Sequence, residues 1–93
     1  MVTTTASLRS DRARAYLDRL CAHFAHKVEV ERADDKAVCH MPAGTAHLDA
    51  DDDGLHLRIT ADDPQGLGRT REVVEDHLMR FAFRQKPAPL DWT

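Results

Sequence analysis

Tyr16 to Lys27, YLDRLCAHFAHK, is the stretch from which the fold is read. At about 100° per residue, Ala13, Tyr16, Leu17, Leu20, Cys21 and Phe24 gather into one apolar stripe. His23 lies at the flank of that stripe, and His26 nearly opposite its centre. Upstream, Ser10 and Asp11 supply a helix start: a side-chain acceptor for free N–H groups, then a carboxylate in the first turn. Ser7 is the alternative cap. The spacing predicts helix one over residues 11–26.

Beyond Lys27 the period changes to two. Val28 and Val30 alternate with Lys27, Glu29 and Glu31, a half-buried strand. Ala33 to Lys36 is a polar turn, followed by a strand over residues 37–41. Two inward faces compete for that strand, Cys39 with Met41 or Val38 with His40. Pro42 to Thr45 has turn chemistry. Ala46, Leu48 and Ala50 then alternate with His47 and Asp49. Asp51-Asp52-Asp53-Gly54 closes a hairpin, with Gly54 free to take a positive φ. Leu55, Leu57, Ile59 and Ala61 form the inward face of the next strand. With Ala50 opposite Leu55, Asp49 faces His56 and His47 faces Arg58.

Asp62 or Asp63 caps a second helix, with Pro64 tolerated at its first position. Leu67, Val74, Leu78 and Phe81, flanked by Ala82, make its apolar stripe to about Arg84, and Gly66 and Gly68 loosen its first turn. Pro87 and Pro89 stop it, and Trp92 in the tail is expected to pack back on the body. Val2 to Ala6 is β-prone, either an edge strand or a frayed terminus. The expected fold is therefore a two-layer α+β domain of residues 1–93: a four-stranded antiparallel meander with an N-terminal and a C-terminal helix on one face, in the order α-β-β-β-β-α.

Composition narrows the function classes. Ninety-three residues with a net charge of −3 argue against a duplex-DNA binder, which presents a basic face. No run approaches the roughly eighteen apolar residues of a membrane span, and the first fourteen residues lack the apolar core of a signal peptide. Cys21 and Cys39 share no C-x-x-C spacing and read as buried, reduced thiols of a cytoplasmic protein rather than a disulfide.

Three patterns bear on chemistry. His23 and His26, at i and i+3, share a helix side that could chelate iron or zinc, with His77 a third ligand. Against this, histidines near a helix C-terminus are favoured by the dipole alone. Antiparallel helices would also leave His23 and His77 roughly 10 Å apart along the axis. His77, Arg80 and Arg84 lie along one flank of helix two, headed by Val73, and could grip a phosphate or carboxylate. They could equally form a solvated ridge paired with carboxylates such as Asp76. Asp49 to Gly54 matches the front half of a calcium loop, but Thr60 and His56 stand where that loop needs glutamate and an aliphatic residue. Catalytic constellations are thin. Cys21 and His23 point about 160° apart on a helix, Cys39 and His40 face opposite sides of a strand, and no Gly-rich phosphate loop, G-x-S-x-G or H-E-x-x-H occurs. Glu29, Glu31, His47, Asp49, His56, Arg58 and Thr60 would make the outer sheet face polar enough for water, or for a dimer or docking partner.

RAYLDRLCAHFAHKVEV (Arg14 to Val30), GTAHLDADDDGLHLRITADD (Gly44 to Asp63), VVEDHLMRFAFR (Val73 to Arg84) and Trp92 together resemble a small bacterial family, domain of unknown function 2218. The positions its pattern marks are Leu20, Cys21, His23, Phe24, His26, Lys27, His77, Arg80, Phe81 and Trp92. Gly66 and Gly68 depart from it, where alanine and leucine are usual. The resemblance implies a stand-alone cytoplasmic α+β domain with no established activity, in a family whose members also occur beside flavoproteins that reduce ferric siderophores. An accessory role in iron acquisition, with a siderophore-interacting flavoprotein as partner, is implied by that association alone.

Three expectations follow, of which the third, an enzyme that no motif reveals, is the least favoured because the catalytic constellations are thin. In the first, the chain is a ligand-binding module whose ledge of His23, His26, Lys27, His77, Arg80 and Arg84 meets a metal or an anion, an iron chelate being the sharpest version. In the second it is a homodimeric or partner-docking domain with structural histidines.

Overall fold

The structure, a computed structural model, describes residues 1–87 and 90–93. The described residues form eight elements: β1 (Val2–Arg9), α1 (Ala13–Phe24), β2 (Glu29–Ala33), β3 (Lys36–Met41), β4 (Gly44–Ala50), β5 (Gly54–Ala61), α2 (Pro64–Phe81) and a 3-10 turn (Phe83–Gln85). The strands form one antiparallel sheet in the order β1-β5-β4-β3-β2. The meander from β2 to β5 agrees with the sequence reading, including Ala50 opposite Leu55, Asp49 opposite His56 and His47 opposite Arg58.

The strand count and the place of helix one are corrected. The sheet has five strands, because Val2 to Arg9 pairs along its whole length with β5, from Val2 opposite Ala61 to Arg9 opposite Gly54. Helix one thus lies between β1 and β2 and carries the chain from one sheet edge to the other. Thr4, Ala6 and Leu8 turn inward in strict alternation and are buried, so β1 is an amphipathic strand with a long-range partner.

Both helices cover the same face. Leu17 and Leu20 of α1 meet Leu48, Leu55, Leu57 and Ile59 of the sheet and Val74 and Leu78 of α2 in one cluster, all essentially without solvent contact. Each such side chain contributes about 1.5–3 kcal/mol of burial. Ala37 and Cys39 of β3 point into this cluster with Met41 packed against it, while Val38 and His40 face out. The competing inward faces of that strand are thereby decided.

The helix ends differ locally. Ser10 Oγ accepts from the Arg12 N–H and donates to Gln85 Oε1, so it organises the turn ahead of α1 rather than capping it. Ser7, the other candidate cap, sits in β1. At α2 the capping reading holds for Asp63, whose side chain accepts from Gly66 N–H at 2.7 Å with Pro64 at the first position. Gly66 also has a packing reason: a Cβ there would lie 2.5 Å from Ala43 O. The helix stops at Phe81 and tightens into the 3-10 turn, about a turn before the expected Arg84. Of the two prolines read as stops, Pro89 lies outside the described residues. Trp92 packs back as expected, its Nε1–H donating to Glu75 Oε1 at 3.2 Å.

Candidate functional site

The seam between α1 and α2 gathers most of the chemistry. Antiparallel packing sets Tyr16 beside Gln85, with hydroxyl to Oε1 at 3.0 Å. One turn on, the Arg19 guanidinium lies over the Phe81 ring, 5.4 Å from its centroid. A further turn on, His23 meets His77 with ring centroids 4.4 Å apart. The expected axial gap of roughly 10 Å between these two histidines is therefore closed. The C-terminal end of α1 falls beside the last third of α2, where His77 is the fourteenth of 18 residues.

His77 is held from within its own helix. Its Nδ1 lies 2.7 Å from Val73 O. A carbonyl only accepts, so Nδ1 carries the proton and Nε2 of the neutral ring keeps its lone pair. Phe24 packs edge-on to the His77 ring at 5.4 Å and Phe81 to the His23 ring at 6.1 Å. His23 titrates below the ordinary histidine range, first through desolvation and then through the charges of His77, Lys27, His26 and Arg80. Desolvation and, after it, the neighbouring positive charges thus both favour its neutral imidazole.

The remaining residues of the ledge are distributed unevenly. His26 lies just past the C-cap residue Ala25, on the turn out of α1, its N–H donating to His23 O at 3.4 Å. Lys27 is exposed beside it. Arg80 is paired with Asp76 at 3.0 Å, the ridge arrangement weighed from sequence. Arg84 lies over the exposed Phe83 ring at 5.9 Å. Among the described residues no three histidine, cysteine, aspartate or glutamate side chains are grouped so as to hold a metal ion. Toward the other end of the seam, Arg12, Arg19 and Arg84 line a cleft of about 830 Å³ with Tyr16, Phe81 and Phe83. The sequence reading missed Arg12 and Arg19 as partners of Arg84, because the helices' register was unknown.

Two other clusters lie outside the seam. Cys21 of α1 and Cys39 of β3 are free and buried. The neighbouring Cys39 thiol, first, and Arg32 lower the Cys21 thiol to about 7 against the effect of burial, while Cys39 is pushed up. On the open sheet face, His56 lies between Ser7 and Asp51.

The family model for uncharacterized proteins conserved in bacteria, DUF2218, matches residues 5–93. The chain belongs to this family. At the seam the His23 ring meets those of Phe24, His77 and Phe81, and the Phe24 ring meets that of His77. A similar solved structure is the NMR structure of PA4090 from Pseudomonas aeruginosa, 29% identical, with a TM-score of 0.84, covering 100% of this chain and 96% of that one. No curated protein matches the chain. No helix among the described residues is long and apolar enough to cross a membrane.

Proposed function

We propose that this protein is a ligand-binding accessory module whose α1–α2 seam takes an anionic metal chelate. The observation that supports this most is the His23–His77 pair, 4.4 Å apart on two helices, with His77 Nδ1 committed to a carbonyl. A backbone-held imidazole presenting its other nitrogen is a common arrangement of metal-binding histidines. Two imidazoles are few for a bare ion but suit a metal whose other positions are filled by a small chelator. His26 and Lys27 would balance the chelate's negative charge, with Arg80 shared with Asp76 and Arg84 toward the other end of the seam. Iron is the metal to which the association with siderophore-reducing flavoproteins implied by the resemblance would point.

The test is metal content by mass spectrometry after incubating untagged protein with ferric citrate, or with zinc chloride as the bare ion, and desalting. The expected outcome is about one iron per chain from ferric citrate in the wild type, lost in His77→Ala and His23→Ala with the fold intact. Wild-type protein that carries no metal from either source would sink the reading. The second reading, a homodimeric or docking module with structural histidines, draws on the uncovered sheet face and on Phe83, 64% exposed. A dimer mass in solution, unchanged in both histidine variants, would favour it.

A further inference from the structure

The open face of the sheet holds a second constellation, assembled from residues far apart in sequence. Ser7 of β1 lies opposite His56 of β5, and its Oγ is 2.7 Å from His56 Nδ1. His56 Nε2 is in turn 2.8 Å from Asp51 Oδ2. The other carboxylate oxygen, Oδ1, accepts from the N–H groups of Asp53 and Gly54 at 2.8 and 3.1 Å. Asp51 is thus anchored by the hairpin backbone. His56 first, then these N–H groups, hold it below the usual carboxylate range.

The proton positions follow from this network. An ionised carboxylate only accepts, so Nε2 carries the imidazole proton. Nδ1 is then the acceptor, and the Ser7 hydroxyl donates to it. This is the order of nucleophile, base and orienting carboxylate, with the two ring nitrogens exchanged relative to the usual hydrolase arrangement.

The main chain supplies a further element. Thr5 exchanges both main-chain hydrogen bonds with Thr93, on the side of β1 away from β5. Alternate residues of a strand turn their N–H groups the same way, so Ser7 also directs its N–H to that outer edge. Ser7 and His56 then form the closer, non-hydrogen-bonded kind of cross-strand pair, which brings Oγ to Nδ1. The nucleophile's own N–H stands ready as a donor to an oxyanion. Beside Ser7 the face dips into a concavity of about 380 Å³, lined by Lys36, Val38, His47, Asp49 and Arg58 among others.

From this geometry we infer that Ser7 is an acyl-accepting nucleophile, with His56 as its base and Asp51 as the positioning carboxylate, acting on small carboxylic esters that carry a negative charge. Oγ attacks the carbonyl carbon as its proton passes to Nδ1. The carbon–oxygen bond to the alcohol then breaks, and Nδ1 returns the proton to the leaving alkoxide. Water attacks the Ser7 ester by the same route, giving the free acid and restoring the hydroxyl. Lys36 and Arg58 would bind the substrate's negative charge.

The test uses the whole chain and a fluorophosphonate probe, whose phosphorus forms a bond to Oγ while fluoride leaves. Intact mass followed by peptide mapping should show one adduct per chain, on Ser7. Ser7→Ala should abolish it. His56→Gln should slow labelling at least ~100-fold, the scale of positioned base catalysis, and remove an acid-side fall in rate that wild type shows. Far-UV circular dichroism confirms that both variants fold. An unlabelled wild type, an adduct elsewhere, or undiminished labelling of His56→Gln overturns the assignment.

Discussion

Gly54 opens β5 directly against the main chain of β1. A Cβ at that position would stand 2.1 Å from Leu8 O and 2.9 Å from Arg9 Cα. These are backbone atoms of a paired strand, so relief requires separating β1 from β5. Gly54→Ala is expected to cost about 1–3 kcal/mol or more, the range of overpacking in a tight site. Gly68→Ala is the contrasting case, since nothing lies within 4 Å of the new methyl and the position is helical. It should stabilise by about 0.4–1 kcal/mol through the unfolded chain. Urea midpoints of the two variants against wild type check both signs. At this scale the sequence showed that a glycine belongs in the hairpin and that its φ is positive, which it is at 157°. The stronger reason, the close approach of β1, depends on a pairing between residues some 45 positions apart. No local pattern reports that. Ser7 was illegible for the same reason: as a cap candidate it had only sequence neighbours, whereas its partner is His56.

At the scale of elements, Glu75 joins the tail to the body. Its two carboxylate oxygens accept from Leu90 N–H at 3.0 Å and Trp92 Nε1–H at 3.2 Å. The chain then reaches Thr93, whose main chain pairs with Thr5 at the edge of β1. Helix α2, the tail and β1 are thereby linked in series. Glu75→Ala should release the indole to water, shifting tryptophan fluorescence to longer wavelength. It should cost about 1.5–3 kcal/mol, the magnitude of hydrogen bonds to a charged acceptor. An unshifted emission maximum would mean that apolar packing alone holds Trp92. The helices were legible because an amphipathic period of 3.6 with a cap is a local signal, as Asp63 and Pro64 show. Their relative register was not. Which turn of α1 meets which turn of α2 depends on both lengths and on the sheet beneath them. The meeting of His23 with His77 and the gathering of Arg12, Arg19 and Arg84 are consequences of that register.

At the scale of the whole molecule, the order of the meander could be read from short polar turns, whereas the fifth strand could not, because its connection spans the sheet. The charge of the folded state has its own consequence. His47, facing Arg58 and Val38 across the sheet, titrates low, first through desolvation and then through Arg58 and His40. His23 titrates low for related reasons at the seam. For both, the unfolded chain binds a proton more readily than the folded one. Stability from this source is complete above the ordinary histidine value of 6.5, and it is lost as pH falls through the lower folded values. Asp51 acts further down: its contribution holds above the ordinary carboxylate value of 3.8 and disappears as pH falls below that. Acidification should therefore weaken the fold in two separate steps. Urea midpoints measured from about pH 8 to pH 3 should trace them. His47→Gln and His23→Gln should each flatten the upper step only, and together flatten it additively, since one lies on the outer sheet face and the other on the helical layer. Asp51→Asn should flatten the lower step. An upper step that survives both histidine variants would place the titrating group elsewhere.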